Sequence, residues 1–204
     1  MRVISGTLKG RRLKAPAGMA TRPTADRIKE SVFNILAGSV QTKRVLDLFA
    51  GTGNISYECA SRGCPHVVAV DAHPGCIRFI QKTAGALELP IHTYKRDVLK
   101  FLKQCEEDFD LIFADPPYNL PETELAALAS LCLERGLLKK GGVLVIEHGP
   151  KKDLSQQEGF TEMRKYGSFV FIFFRGARNS GMSWPNCCSS WMSRNPATNH
   201  AIFC

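Results

Sequence analysis

The chain has 204 residues, 44% of them hydrophobic, and a formal net charge of +8. That length suits one domain with a small appendage, with apolar content enough for a core. No run of about 18 apolar residues occurs, so no transmembrane helix and no membrane partner are expected, and the opening Met1-Arg2-Val3-Ile4-Ser5-Gly6 lacks the apolar centre of a signal peptide.

The positive charge concentrates at the start. Residues 1–25 carry six cations (Arg2, Lys9, Arg11, Arg12, Lys14 and Arg22) and no acid. Such a stretch reads either as a surface that meets phosphates or as a solvated basic arm, and charge alone does not separate the two. Within residues 1–15, Val3, Leu8 and Leu13 alternate in part with polar residues, and Gly6 and Gly10 permit sharp turning. A small basic β-hairpin is expected there. Pro16 to Pro23 reads as a loop. Thr24 is a candidate N-cap for a helix over Ala25–Leu36, whose apolar residues fall at 28, 32, 35 and 36, and Gly38 ends it.

From Lys43 the pattern becomes regular. Strand Val45–Phe49 leads through Gly51 and Gly53 into a helix over 54–62. Strand His66–Val70 ends at Asp71, before a helix over Pro74–Leu87. Ile91–Tyr94 is a short strand, followed by Asp97 and a helix over Val98–Cys105. Strand Phe109–Ala114 ends at Asp115, and a helix covers Pro121–Glu134. Gly141-Gly142 reads as the turn before strand Val143–Glu147. Phe160–Tyr166 and Phe169–Phe174, separated only by Gly167-Ser168, read as a hairpin. Short apolar strands alternating with helices imply an α/β fold whose sheet is mostly parallel, here of seven strands ending in an antiparallel pair. From Ser180 to Cys204 periodicity is lost.

The chemistry gathers at strand ends. A strand that stops in a glycine turn and restarts as a helix offers backbone N–H groups to a polar or anionic cofactor, although many such corners are glycine-rich for chain geometry alone. Asp47, Asp71, Asp97 and Asp115 all lie where strands end, the edge at which open parallel sheets bind ligands; any one of them could instead be a helix cap. The sharpest motif is Asp115-Pro116-Pro117-Tyr118. Two prolines stiffen the turn and leave the Pro116 carbonyl available as an acceptor. Asp115 adds a second acceptor and Tyr118 a flat ring, a set able to hold the amino group of a nucleobase; a purely structural turn is the alternative.

Gly51-Thr52-Gly53, Asp71, Asp97 and the Asp-Pro-Pro-Tyr corner, in this order, resemble class I S-adenosylmethionine-dependent amino-methyltransferases, whose fold is Rossmann-like. The opening Arg2-Val-Ile-Ser-Gly-Thr-Leu-Lys-Gly-Arg-Arg-Leu13, the segment Arg22-Pro-Thr-Ala-Asp-Arg-Ile-Lys-Glu-Ser-Val-Phe-Asn-Ile-Leu36 and Asp47-Leu-Phe-Ala-Gly-Thr-Gly53 are more specific. Together they look like the RsmD family of bacterial 16S ribosomal RNA guanine-N2 methyltransferases, over about residues 1–175. The resemblance implies that S-adenosylmethionine lies with its methionine part along Asp47, Phe49, Gly51 and Gly53. Asp71, with Ala72 beside it, would bind the ribose, and Asp97 with the Val98 backbone the adenine edge. Asp115, Pro116, Pro117 and Tyr118 would hold the target guanine, and Arg2, Lys9, Arg11, Arg12, Lys14 and Arg22 the RNA. Arg22–Arg27 would border the site on either the cofactor or the RNA side. Phe49 stands where class I enzymes at large carry a first glycine, a departure the family tolerates.

The resemblance further implies an RNA-binding hairpin over residues 1–20, a methyltransferase domain over 21–175, and a tail over 176–204 that departs from the family and is expected to be disordered. A cytoplasmic monomer acting on 16S rRNA in the small ribosomal subunit, with no metal, is expected. Cys59, Cys64, Cys76, Cys105 and Cys132 read as reduced thiols, and His148 as a structural histidine. Cys187, Cys188, His200 and Cys204 lack the spacing of a zinc site. Two other functions remain open at this point. One is a DNA adenine-N6 methyltransferase, against which stands the lack of a target-recognition insertion. The other is an RNA-binding module without catalysis, against which stand the four acids.

Overall fold

The computed structural model describes residues 1–15, 33, 43–150, 152–166 and 169–176. Its elements are β1 (Arg44–Leu48), α1 (Asn54–Ser61), β2 (His66–Asp71), α2 (Pro74–Ala86), β3 (Ile91–Lys95) and α3 (Val98–Gln104). Then come β4 (Phe109–Ala114), α4 (Glu122–Glu134), β5 (Leu138–His148), β6 (Phe160–Tyr166) and β7 (Phe169–Arg175). The strands form one sheet in the order β3-β2-β1-β4-β5-β7-β6. β1 to β5 are mutually parallel, and β7 pairs antiparallel with both β5 and β6.

The central strands are apolar on both faces because both faces are covered. Leu46, Leu48, Val68, Val70, Ile112 and Leu144 pack with Leu102 of α3 and Leu125, Leu128 and Cys132 of α4. The opposite face carries Val45, Val67, Leu111, Phe113 and Val145, packed with Ile55 and Cys59 of α1 and with Phe171 and Phe173 of β7. Helix starts are specified locally. Asp97 caps α3 by accepting from Lys100 N at 3.0 Å, and His73 caps α2, where Pro74 fills a first-turn position that needs no N–H.

Three expectations change in detail. Phe49 leaves the strand: its φ of 57° ends β1 at Leu48. Gly141-Gly142 does not precede β5 but lies inside it, where the pairing with β4 shifts register between Phe109 and Leu111. The N-terminal hairpin is held by one antiparallel bridge, Arg2 to Arg12, rather than by two extended strands.

That hairpin is nevertheless docked. Val3 and Leu13 are buried with Tyr57 of α1 and Ile80 of α2. The Glu58 carboxylate of α1, itself fully buried, accepts from Ile4 N at 2.9 Å and Ser5 N at 3.0 Å. Thr7 N donates to the Ser61 carbonyl at 2.7 Å, at the end of α1. Gly6 makes this approach possible, since a Cβ there would lie 1.8 Å from the Ser61 carbonyl oxygen. The helix expected over 25–36 lies outside the described residues except for Phe33, which is helical, buried, and covered by the Arg62 guanidinium at 4.2 Å from the ring centre. The tail from residue 177 onward also lies outside them.

Candidate active site and nucleic-acid surface

Parallel strands end at a common edge, and the strand order turns the four acids into a row. Asp97 follows β3, Asp71 ends β2, Asp47 sits at the end of β1 and Asp115 follows β4. Their order along the edge is therefore 97, 71, 47, 115, over four adjacent strands or about 14 Å at the usual strand spacing. The row crosses the point between β1 and β4 where the connections reverse direction, the crevice in which open α/β sheets bind ligands.

Asp47 is the buried member, 2% exposed. Its Oδ2 accepts from Ser56 N at 3.0 Å and from Ser56 Oγ at 2.5 Å. Gly53, the N-cap of α1, has no side chain with which to cap, so Asp47 does so from the strand behind. Burial pushes its carboxyl up to about 7, against the pull of the Ser56 hydrogen bonds, and the charges of Asp115 and Asp71 push the same way. Those two carboxylates therefore lie close enough to Asp47 to be felt.

The turn from Phe49 to Gly53 is wound through positive φ at three residues, Phe49 (57°), Gly51 (54°) and Gly53 (84°). Phe49 takes a left-handed backbone despite carrying a phenyl ring. That conformation costs a non-glycine residue about 1–2 kcal/mol, and Phe49 is held in it with its ring against the core. Two amides expected to face a ligand are used internally: Gly51 N donates to Asp71 Oδ2 at 2.8 Å and Gly53 N to the Ala50 carbonyl at 2.8 Å. Asp71 also accepts from His73 N through Oδ1 at 2.7 Å, so it ties the turn to the start of α2. A carboxylate has about four acceptor positions, so both oxygens keep capacity for a diol. Asp97 is exposed beside buried Val98, and Ala72 is exposed next to Asp71.

Asp115 N donates to the Leu48 carbonyl at 3.3 Å, and Leu48 pairs with Ala114, so the proline corner starts directly beside the glycine turn. Asp115 is half-buried, Pro116 buried, Pro117 exposed and Tyr118 40% exposed, leaving ring surface available at the rim. Two residues that sequence reasoning did not connect with the corner brace it. The Tyr118 hydroxyl donates to Glu147 Oε1 at 3.4 Å, and Lys152 Nζ donates to the Tyr118 carbonyl at 2.9 Å and to the Leu120 carbonyl. Glu147 is buried at the end of β5, the neighbour of β4; its contact over 29 residues of chain left no local signal. Beside it His148 is buried, its ring Nδ1 is 2.8 Å from the Gly149 carbonyl, and burial lowers its pKa, which fits a neutral structural histidine.

Five of the six cations singled out for RNA, Arg2, Lys9, Arg11, Arg12 and Lys14, are exposed on the docked hairpin, and Arg22 lies outside the described residues. Among the described residues no group of three His, Cys, Asp or Glu could hold a metal ion, and no helix is long and apolar enough to cross a membrane. The five described cysteines are free thiols; burial raises Cys64 to about 11 and Cys59 and Cys132 well above the usual range, so all three stay protonated.

A mostly parallel seven-stranded sheet with this order and a terminal antiparallel pair is the fold of the class I S-adenosylmethionine-dependent methyltransferases. The residues present fit that cofactor: carboxylates for its cationic and hydroxyl groups, and a turn that brings backbone close. The chain belongs to the RsmD family, whose model, described as "Conserved hypothetical protein 95", matches residues 1–175. Residues of this chain are 41% identical to YlbH of Bacillus subtilis, described as a candidate rRNA methyltransferase, over 82% of this chain and 94% of that one. They are 30% identical to ribosomal RNA small subunit methyltransferase D of Haemophilus influenzae, over 81% and 87%. The Escherichia coli protein yhhF, a candidate methyltransferase, shares the fold with a TM-score of 0.77 at 22% identity, over 88% of this chain and 99% of that one. The chain is thus a methyltransferase of an rRNA-modifying family.

Proposed function

We propose that this protein transfers a methyl group from S-adenosylmethionine to the exocyclic N2 amino group of one guanine in 16S rRNA. The observation that carries the reading is the adjacency of the Asp115-Pro116-Pro117-Tyr118 corner and the Phe49–Gly53 turn, on neighbouring strands paired Leu48 to Ala114. The name of the Haemophilus relative, which specifies the small subunit, supports the substrate.

When bound, the cofactor supplies an electrophilic methyl on a sulfonium. The chain's own residues do the rest. The Gly51–Gly53 turn, with Asp47 buried behind it, borders the methionine end, Asp71 with Ala72 holds the ribose hydroxyls, and Asp97 with Val98 the adenine edge. Asp115 and the Pro116 carbonyl accept hydrogen bonds from the guanine amino group, whose lone pair is otherwise drawn into the ring. Those bonds favour a more pyramidal nitrogen aimed at the methyl. Pro117 stiffens the corner, and Tyr118 stacks on a base that has left its helix. Fixing two reactants in this way can supply up to roughly 7–11 kcal/mol. The hairpin over residues 1–20 grips RNA phosphates for the methyltransferase domain over 21–175, without reading much sequence.

The test is methyl transfer to small ribosomal subunits and to naked 16S rRNA purified from cells lacking the protein, with nucleosides resolved by mass spectrometry. Formation of N2-methylguanosine at one position is expected. Methylation of another base or of DNA, or cofactor binding with no transfer to either RNA substrate, would overturn the assignment.

A further inference from the structure

The hairpin and α2 leave a groove of about 710 Å³ between them. Arg11, Arg12 and Lys14 line it from the hairpin, and Arg78 and Lys82 from α2. No carboxylate lines it among the described residues. The α2 lining falls at residues 75, 78, 79, 82, 83 and 86, one continuous stripe of a helix. That stripe lies beside the buried one of Ile77, Ile80 and Ala84. Arg78 and Lys82 are neighbours one turn apart, a like-charge pair that opposes helix formation, and α2 has no acid to relieve it. The floor is apolar: Leu13 is buried, and Phe79 and Leu87 are half-buried.

We infer that this groove is an RNA-binding site for a single-stranded stretch, with Arg78 and Lys82 gripping the sugar-phosphate backbone from the wall opposite the hairpin. The inference rests on the proposed RNA substrate and adds to it residues of α2 that the basic N-terminal segment does not contain. A cationic rim over an apolar, partly aromatic floor is the arrangement that single strands use, because phosphates and base faces are both exposed in them. A duplex hides its base faces and has no use for that floor. Position agrees. Gly75 lies four residues after Asp71, so the groove opens at the cofactor edge of the sheet, on the helix that follows β2, two strands over from the β4 end that carries Asp115. From there it runs about 16 Å along α2 to Ala86. A strand leaving the flipped base could enter it directly.

The test is binding of a 12-nucleotide oligouridylate, followed by fluorescence anisotropy across salt, to full-length wild type and to Arg78→Gln/Lys82→Gln. A second double variant, Lys103→Gln/Lys165→Gln, removes the same charge from exposed positions away from the groove. Affinity for single strands scales with salt to the power of about −0.7 per phosphate contact, so two lost contacts should lower the slope by about 1.4 and the affinity at 0.1 M salt by about 25-fold. The control should stay near wild type, S-adenosylmethionine binding should be unchanged in both, and Tm should not fall in either. Equal losses in the two double variants would overturn the groove. So would equal competition by polyglutamate, which would mark a general polyanion surface. If Arg11→Gln/Arg12→Gln loses RNA while Arg78→Gln/Lys82→Gln does not, the groove is wrong and the RNA substrate stands. If wild type neither binds nor methylates RNA, both fall.

Discussion

Replacing Asp47 with Asn should make the protein more stable as the pH rises, relative to wild type, while weakening its hold on the cofactor. Asp47 is buried, and its carboxyl sits at about 7 against the usual 3.8. Below about pH 4 the group is protonated in both folded and unfolded chains. Between about 4 and 7 the unfolded chain gives up the proton and the folded one keeps it, so stability falls as pH rises. Above about 7 both have lost it and the dependence ends. About three units at about 1.4 kcal/mol each make the whole loss about 4 kcal/mol. The amide that replaces the carboxyl does not ionise, and its oxygen can still accept from Ser56, so the variant lacks this slope. Urea denaturation of both proteins from pH 4.5 to 8.5 isolates the contribution, because groups other than the neighbouring Asp115 and Asp71 cancel in the difference. The difference should grow in favour of the variant up to about pH 7 and then level. A difference that stays flat across the range would refute the buried, proton-retaining Asp47. The carboxylate kept at this cost has a use if it meets the cationic cofactor. A cation beside it lowers its pKa, so S-adenosylmethionine binding at pH 6.5 should release a proton, seen as a buffer-dependent heat, and Asp47→Asn should abolish that release.

Asp115→Ala should abolish methyl transfer and leave cofactor affinity within a few-fold of wild type; loss of both in calorimetry would make Asp115 structural. Tyr118→Ala should weaken RNA binding by about 1–3 kcal/mol, the usual worth of one stacked base, whereas Tyr118→Phe should stay near wild type because the hydroxyl's bond to Glu147 is long at 3.4 Å. A Phe variant as poor as Ala would move the role from the ring to the hydroxyl. Gly6→Ala should lower stability by at least about 2 kcal/mol in a thermal melt, since positive φ alone costs about 1–2 kcal/mol and the new Cβ would strike the Ser61 carbonyl. An unchanged melt would mean the hairpin is not docked as described. Arg11→Glu with Arg12→Glu should weaken RNA binding and spare cofactor binding, and unchanged RNA affinity would remove the hairpin from the interface.

What could be read along the chain is what local physics writes there. Apolar runs such as Val67–Val70 and Leu111–Ala114 need no partner to be seen as buried strands, because burial on two faces demands continuous apolar residues. The double-proline corner is equally local, since its stiffness belongs to the two rings. What the chain could not display is order across the sheet. Asp97 is nearer than Asp47 to Asp115 in sequence, yet pairing of β1 with β4 sets Asp47 beside the corner and sends Asp97 to the far end of the row. The remaining surprises are of the same kind. Asp47 caps a helix nine residues on, Glu58 anchors amides more than fifty residues earlier, and Glu147 braces Tyr118 across 29. α2 turns two cations, Arg78 and Lys82, toward the hairpin. Each is a polar contact between elements distant in the chain, and such contacts leave no periodic trace in the residues that make them. Strand order and the docking of the hairpin on α1 and α2 decided which charges would meet.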